Sequence, residues 1–309
     1  MSLSGHAWTL GIRFGYRPEP PPSEPWSTTV EDPRLGPVRL TGLLDRGAGE
    51  TLVLAVHGLG GSAASHYMVH LARRAGDRGH GCLRLNLRGS DRLGEDFYHA
   101  GLTADLDAAL ASPELAGYRR IYLVGCSLGG HVVLRWAVVS GEPRVAALAA
   151  VCAPLDLELS SRALHRRRLW LYRRYLLGSL KEIYGAVAAR REVPIPATDA
   201  SRIGTITEWD ERIVAPRHGF ADAQDYYRRM SVAPRLGELT LPGLLIAADE
   251  DPMVPAHTVR PVVRSPPPAL TVRWAPRGGH LGFPKDLDLG LGPHRGWAEQ
   301  VLDWLSLHP

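Results

Sequence analysis

The chain reads as an α/β fold: a mostly parallel central sheet covered by helices on both faces, with a helical insertion. Three observations predict it. Short apolar runs alternate with segments of helical spacing along most of the 309 residues. About ninety residues between Val151 and Leu241 show helical pattern and no convincing strand. At Ile121–Leu134 an apolar run breaks at Gly125-Cys126-Ser127-Leu128-Gly129-Gly130, and a helical pattern follows. Alternating strands and helices give parallel sheets buried on both sides.

The elements follow in order. Residues 1–36 are proline-rich (Pro18, Pro20, Pro21, Pro22, Pro25, Pro33) and read as an irregular surface arm. Strands are expected at Val38–Leu44, Thr51–Val56, Cys82–Leu87, Ile121–Val124, Val145–Val151, Leu241–Ala247 and Leu270–Trp274. Helical spacing marks Tyr67–Ala75, Leu102–Leu110, Leu128–Val139 and Gly296–Leu307. Residues 37–154 and 236–309 then form the α/β core, and 155–235 a helical cap or lid. No internal repeat is visible.

Composition narrows the function classes. Hydrophobic residues make up 45% of the chain, enough for one large domain with a sizeable core. The formal charge is +4, and the excess is local. Between Leu155 and Arg235 stand 15 Lys+Arg against 10 Asp+Glu. The three cysteines, Cys82, Cys126 and Cys152, lie in or beside apolar runs, which points to reduced core thiols rather than a disulfide frame. No apolar run reaches the ~18 residues of a spanning helix, and the opening residues lack a signal-peptide pattern. A soluble cytoplasmic protein is expected.

The chemistry starts at Ser127. A strand, Gly-x-Ser-x-Gly and a helix place a serine on a strained turn with its hydroxyl above the sheet. Cys126 sits beside it but points away from the apex. A serine hydroxyl needs a base, and the base needs an orienting acid. In this arrangement the chain order is Ser, Asp or Glu, then His. Three carboxylates compete where the strand at Leu241 ends: Asp249, Glu250 and Asp251. Pro252 forces a turn after Asp251, which is favoured, with Asp249 in reserve. Among 13 histidines, His280 alone follows the last strand at the right place, after Gly278-Gly279. His257 comes too early and His294 too late. The oxyanion hole should use the backbone N–H groups of Leu59 and Leu128. His57 reads as a brace for the Gly58–Gly61 loop. The mechanism requires neither metal nor cofactor.

Two rival readings arise from the same sequence. Gly58-Leu59-Gly60-Gly61-Ser62-Ala63 also fits a dinucleotide fingerprint, but the next strand, Leu83–Arg88, lacks the acidic residue that would hold a ribose. Ser160–Leu177 carries a stripe of Leu164, Leu171, Tyr172, Tyr175 and Leu176 opposite Arg166, Arg167, Arg173 and Arg174. A basic amphipathic helix can lie on an anionic membrane as a peripheral contact. The plainer reading, a lid helix with solvated arginines, is preferred. Nucleic-acid binding has no motif behind it.

Several segments resemble the α/β-hydrolase superfamily, in its branch of bacterial YheT-type esterases, related to plant embryogenesis-associated hydrolases and animal lipase-like members. The resemblance spans about Leu52 to Gly282. It rests on His57–Ser62, Leu85-Asn86-Leu87-Arg88-Gly89, Tyr98-His99-Ala100-Gly101, Gly125–Gly130, Ala153–Leu157, Glu208-Trp209-Asp210-Glu211-Arg212, Pro216–Phe220 with Asp225-Tyr226-Tyr227, and Gly278–Phe283. It implies an α/β-hydrolase fold and a serine carboxylic-ester hydrolase with Ser127, Asp251 and His280 as its triad. Cys126 stands where family members carry a hydrophobic residue or Phe, and His131 where they usually carry Asn. The expected partner is a small, moderately apolar ester. The alternatives are a thioesterase or amidase using the same triad, or a binding protein without turnover.

Overall fold

The computed structural model describes residues 3–309; Met1 and Ser2 lie outside them. In chain order the strands are β1 (Glu24–Asp32), β2 (Gly36–Asp45), β3 (Thr51–Val56), β4 (Gly81–Asn86), β5 (Arg120–Cys126), β6 (Val145–Val151), β7 (Gly243–Ala248) and β8 (Leu270–Ala275). The helices are α1 (Leu3–Gly15), α2 (His66–Gly76), α3 (Ala104–Leu110), α4 (Leu128–Val139), α5 (Leu157–Leu164), α6 (Trp170–Ala188), α7 (Ala197–Ala200), α8 (Ile206–Trp209), α9 (Ala215–His218), α10 (Ala223–Met230), α11 (Ala256–Val259) and α12 (Trp297–Leu305). The eight strands form one sheet in the order β1-β2-β4-β3-β5-β6-β7-β8. β1, β2 and β4 pair antiparallel, and from β4 to β8 every pairing is parallel. This is the α/β-hydrolase architecture.

The central strands are apolar on both faces because both faces are covered. Every residue of β7 is buried, and so is all of β3 after Thr51. Their alternate side chains feed two cores. Leu52, Leu54, Val56, Leu123 and Leu148 pack on one side, against α4 and the helices after β6. Val53, Ala55, Val124, Ala149 and Ile246 pack on the other, against α2 and α12. A one-residue slip in any of these strands would exchange the two sets.

The first 36 residues are not an irregular arm. They hold helix α1 and edge strand β1, joined by the proline run at 18–22. β1 tolerates Pro25 because it has only one neighbour, β2, with which it forms a hairpin from Glu24↔Leu44 to Asp32↔Gly36. Its alternate residues Trp26, Thr28, Val30 and Asp32 face inward, but only Trp26, Val30 and Asp32 are buried.

The segment after β6 differs from the expected single amphipathic helix over Ser160–Leu177. The chain breaks at His165–Arg166, passes through a short 3₁₀ turn at Arg167–Leu169, and restarts as α6. The break rotates the pattern. Leu169, Tyr172, Leu176, Leu180, Ile183 and Val187 face inward, whereas Trp170, Leu171 and Tyr175 are about half-exposed. No helix among the described residues is long and apolar enough to cross a membrane.

A buried ion cluster ties these parts together. The Arg88 guanidinium, beyond β4, donates to Asp32 of β1 (2.8 Å), Asp96 (3.2 Å) and Asp105 of α3 (2.6 Å). Arg217 of α9 reaches the same Asp96 at 2.6 Å. One buried arginine alone would face three carboxylates. The second cation improves the balance and fastens the insertion to the core.

Candidate active site

Ser127 sits between β5 and α4 at φ 53° and ψ −121°. Such a conformation costs an L-residue about 1–3 kcal/mol and persists only where neighbours hold it. Here the Ser127 N–H donates to the Val151 carbonyl at 2.8 Å, and its own carbonyl accepts from the N–H groups of Gly130 (2.9 Å) and His131 (3.2 Å). The flanking glycines are required by close approach. A Cβ on Gly129 would lie 2.2 Å from the Val56 carbonyl oxygen, and one on Gly125 2.2 Å from that of Gly129. Three of the four described non-glycine residues with positive φ cluster here: Ser127, Cys152 at the end of β6, and Leu281.

The structure brings the three predicted side chains together. His280 Nε2 lies 2.9 Å from Ser127 Oγ, and its Nδ1 lies 2.8 Å from Asp251 Oδ2. The other oxygen of Asp251 accepts from the N–H groups of Met253 (2.8 Å) and Val254 (2.9 Å). The turn after Pro252 therefore presents two donors that aim the carboxylate. Asp249, the reserve candidate, turns outward to Arg260. His257 meets Arg166, and His294 pairs with Asp303 on the surface.

Leu59 and Leu128 line the same cavity as Ser127 and His280. The N–H groups on either side of Leu59 are engaged: Gly58 donates to the Tyr67 hydroxyl (3.0 Å) and Gly60 to that of Tyr98 (2.6 Å). Leu128 opens α4, where a helix leaves its N–H groups without internal partners. His57 is fully buried. Its Nδ1 meets the Gly58 carbonyl (2.8 Å), and its Nε2 accepts from the Leu87 N–H (3.1 Å) and faces the Ser90 hydroxyl (2.9 Å). Burial pushes its pKa down to about 4, so it braces the loop as a neutral ring. At the end of β4, Asn86 Oδ1 accepts from the Ala63 N–H, where a nucleotide site would need a carboxylate.

Sequence reasoning missed one contact. The His280 backbone N–H donates to Thr9 Oγ1 at 2.8 Å, and that hydroxyl donates to the Gly5 carbonyl at 2.8 Å. Helix α1 thus lies against the histidine loop. A Cβ on Gly279 would fall 2.1 Å from the Gly5 carbonyl oxygen, and one on Gly282 2.4 Å from that of Trp8. The Gly278-Gly279-His280-Leu281-Gly282 spacing carried a signal, since glycines at both flanks imply a backbone packed closely on them.

His131, on α4, points away from this centre. Its two ring nitrogens face the carbonyls of Pro154 (2.8 Å) and Met230 (3.0 Å), bridging the core to the end of α10. Burial likewise raises the thiol pKa values of Cys126 and Cys152. Cys152, Asp251 and His280 bring ligand atoms within 4.8 Å of one another. That donor set suits a metal poorly, because the thiol is held protonated and the other two already bond each other.

The cavity above Ser127 encloses about 770 Å³ including its mouth. Its walls come from α5, α6, α8 and α10 and are largely apolar, with Leu157, Leu164, Leu176, Leu180 and Ile206 among them.

Comparison with known proteins identifies the family. Residues 53–288 match the family described as "Alpha/beta hydrolase family". The chain belongs to the alpha/beta hydrolase family. It is 33% identical over 272 residues to the Escherichia coli (strain K12) protein named "Putative esterase YheT", covering 83% of this chain and 76% of that one, which places it in the YheT-type branch. It is 25% identical over 246 residues to the mouse phospholipase ABHD3, covering 75% of this chain. The match takes in only 58% of that longer relative, less than two thirds. Among solved structures, the alpha/beta hydrolase GrgF from Penicillium sp. sh18 superposes with a TM-score of 0.56 at 19% identity, over 93% of this chain and 99% of that one. A Pyrococcus furiosus esterase, Pf2001, gives 0.55 at 16% identity, over 86% and 90%. At these identities the two structures speak for the fold alone.

Proposed function

We propose that this hydrolase cleaves carboxylic esters through Ser127, His280 and Asp251. The unbroken hydrogen-bonded chain Asp251–His280–Ser127, ending on a serine held at positive φ, carries the reading. Ser127 Oγ attacks the ester carbonyl while His280 Nε2 takes its proton. Asp251 keeps the proton of His280 on Nδ1 and stabilises the imidazolium. The N–H groups of Leu59 and Leu128 receive the charge that forms on the carbonyl oxygen. His280 then protonates the leaving alcohol, and an acyl group remains on Ser127. Water, deprotonated by His280, attacks that acyl group and releases the acid, and Ser127 regains its proton.

The esterase name of the E. coli protein supports an oxygen ester as substrate, and the apolar walls of the cavity support a moderately apolar acyl group. Hydrolysis of p-nitrophenyl butyrate by Ser127→Ala tests the reading. A kcat lower by about 10³ or more is expected. A variant that keeps near wild-type rates would overturn it.

A further inference from the structure

The cavity that opens at Ser127 is not apolar throughout. It is also lined by Ser160, Ser161, Asp210 and Tyr227. Three of these already satisfy one another. The Tyr227 hydroxyl lies 2.7 Å from Asp210 Oδ2 and 3.2 Å from Ser161 Oγ, and Ser161 meets Thr207 Oγ1 at 2.8 Å. Ser160 is different. It is 7% exposed, lies in the middle of α5, and its hydroxyl has no hydrogen-bond partner among the described residues. Helical serines commonly turn back to the carbonyl four residues earlier, and this one does not. A buried hydroxyl without a partner is costly to keep, so its presence on the wall of a binding cavity calls for a ligand group.

Asp210 adds a second, independent observation. It is buried on the π-turn Asp210–Val214, a local departure from α geometry that recurs at functional sites. Its carboxyl has only Tyr227 to oppose the burial that pushes it up to about 7. Among the described residues, the cavity lining contains neither lysine nor arginine. An anionic substituent would meet Asp210 with no cation to offset it. An ammonium would leave the Ser160 proton without an acceptor. A hydroxyl offers both a donor and an acceptor and suits the pair.

We propose that this end of the cavity is a subsite for a neutral hydroxyl carried on the acyl portion of the substrate, bound by Ser160 with Asp210 as the second partner. The proposal rests on the esterase reading of the same cavity and specifies its substrate class: esters of hydroxylated acids.

The test compares p-nitrophenyl decanoate with its positional hydroxydecanoates, and with amino- and carboxy-substituted counterparts, on the wild type and on Ser160→Ala. At least one hydroxy isomer should exceed the unsubstituted ester in kcat/KM by about tenfold. Ser160→Ala should abolish that gain, read as the ratio of kcat/KM for the hydroxy and unsubstituted esters in the same variant. Tyr227→Phe, which leaves the Asp210 carboxylate without its donor, should shrink the gain. No gain at any hydroxyl position, a gain that survives in Ser160→Ala, or a larger gain from the amino or carboxy esters would refute the subsite and leave the esterase reading standing. Failure to hydrolyse any of these esters would overturn that reading, and the subsite with it.

Discussion

Thr9 offers the sharpest perturbation, because it lies far from Ser127 in sequence and acts on the backbone of the base. Its hydroxyl accepts the His280 N–H at 2.8 Å and is buried between α1 and the histidine loop. Thr9→Val keeps the shape and removes the acceptor, which leaves a buried N–H unsatisfied. Such a loss costs about 1–3 kcal/mol. If half of it is felt where His280 must meet Ser127, kcat should fall by about twofold to tenfold. Thr9→Ser restores the hydroxyl and should recover most of the rate. The assay is p-nitrophenyl butyrate hydrolysis for the three proteins, with KM and thermal midpoint measured alongside. A positioning role predicts a loss in kcat at near-constant KM, rescued by serine. Equal kcat in Thr9→Val and wild type would refute it. So would an equal loss in Thr9→Ser, which would mean that packing rather than the hydroxyl matters.

Two further outcomes follow from the same geometry. Asp251→Asn should lower kcat by about 10⁴ through loss of the correct tautomer, whereas Asp249→Asn, at the surface pair with Arg260, should leave kcat near wild type; kinetics of the two variants separates them. Asp210 links pH to stability. Burial raises its carboxyl from the ordinary 3.8 to about 7, so the stability it allows is full below about pH 4 and falls as pH rises toward 7. Asp210→Asn lacks that loss. Its stability relative to wild type should grow between about pH 4 and 7, by up to about 4 kcal/mol, and level off above. Urea unfolding of both proteins across that range checks the sign, and parallel curves would contradict it.

Much of the fold was legible because burial on two faces leaves a simple trace. Strands β3, β5, β6 and β7 are nearly continuous apolar runs, and the turn at Ser127 declares itself by glycines at which a Cβ would strike backbone. The carboxylate that meets His280 was legible through Pro252, since a carboxylate followed by a forced turn can be aimed. The N-terminal region was not. β1 is an edge strand with one exposed face, so its apolar residues are few, and its prolines mimic a loop. α1 earns its place by contact with residues 279–282, a long-range relation that no local pattern reports. The break at His165–Arg166 was hidden for another reason. Both sides of it are helical, and only the rotated exposure of Leu171 and Tyr175 reveals that two helices meet there. The polar end of the cavity, with Ser160 and Asp210, depends on two segments about fifty residues apart and could not be seen before they were placed together.

The most direct trial of the account is covalent. A fluorophosphonate reacts with a serine only when a neighbouring base has made it nucleophilic and an oxyanion site receives the product. Intact-mass analysis after such treatment should show a single adduct, peptide mapping should put it on Ser127, and His280→Ala should react far more slowly. An unmodified protein, or an adduct on any other residue, would contradict the claim that Ser127 is the nucleophile.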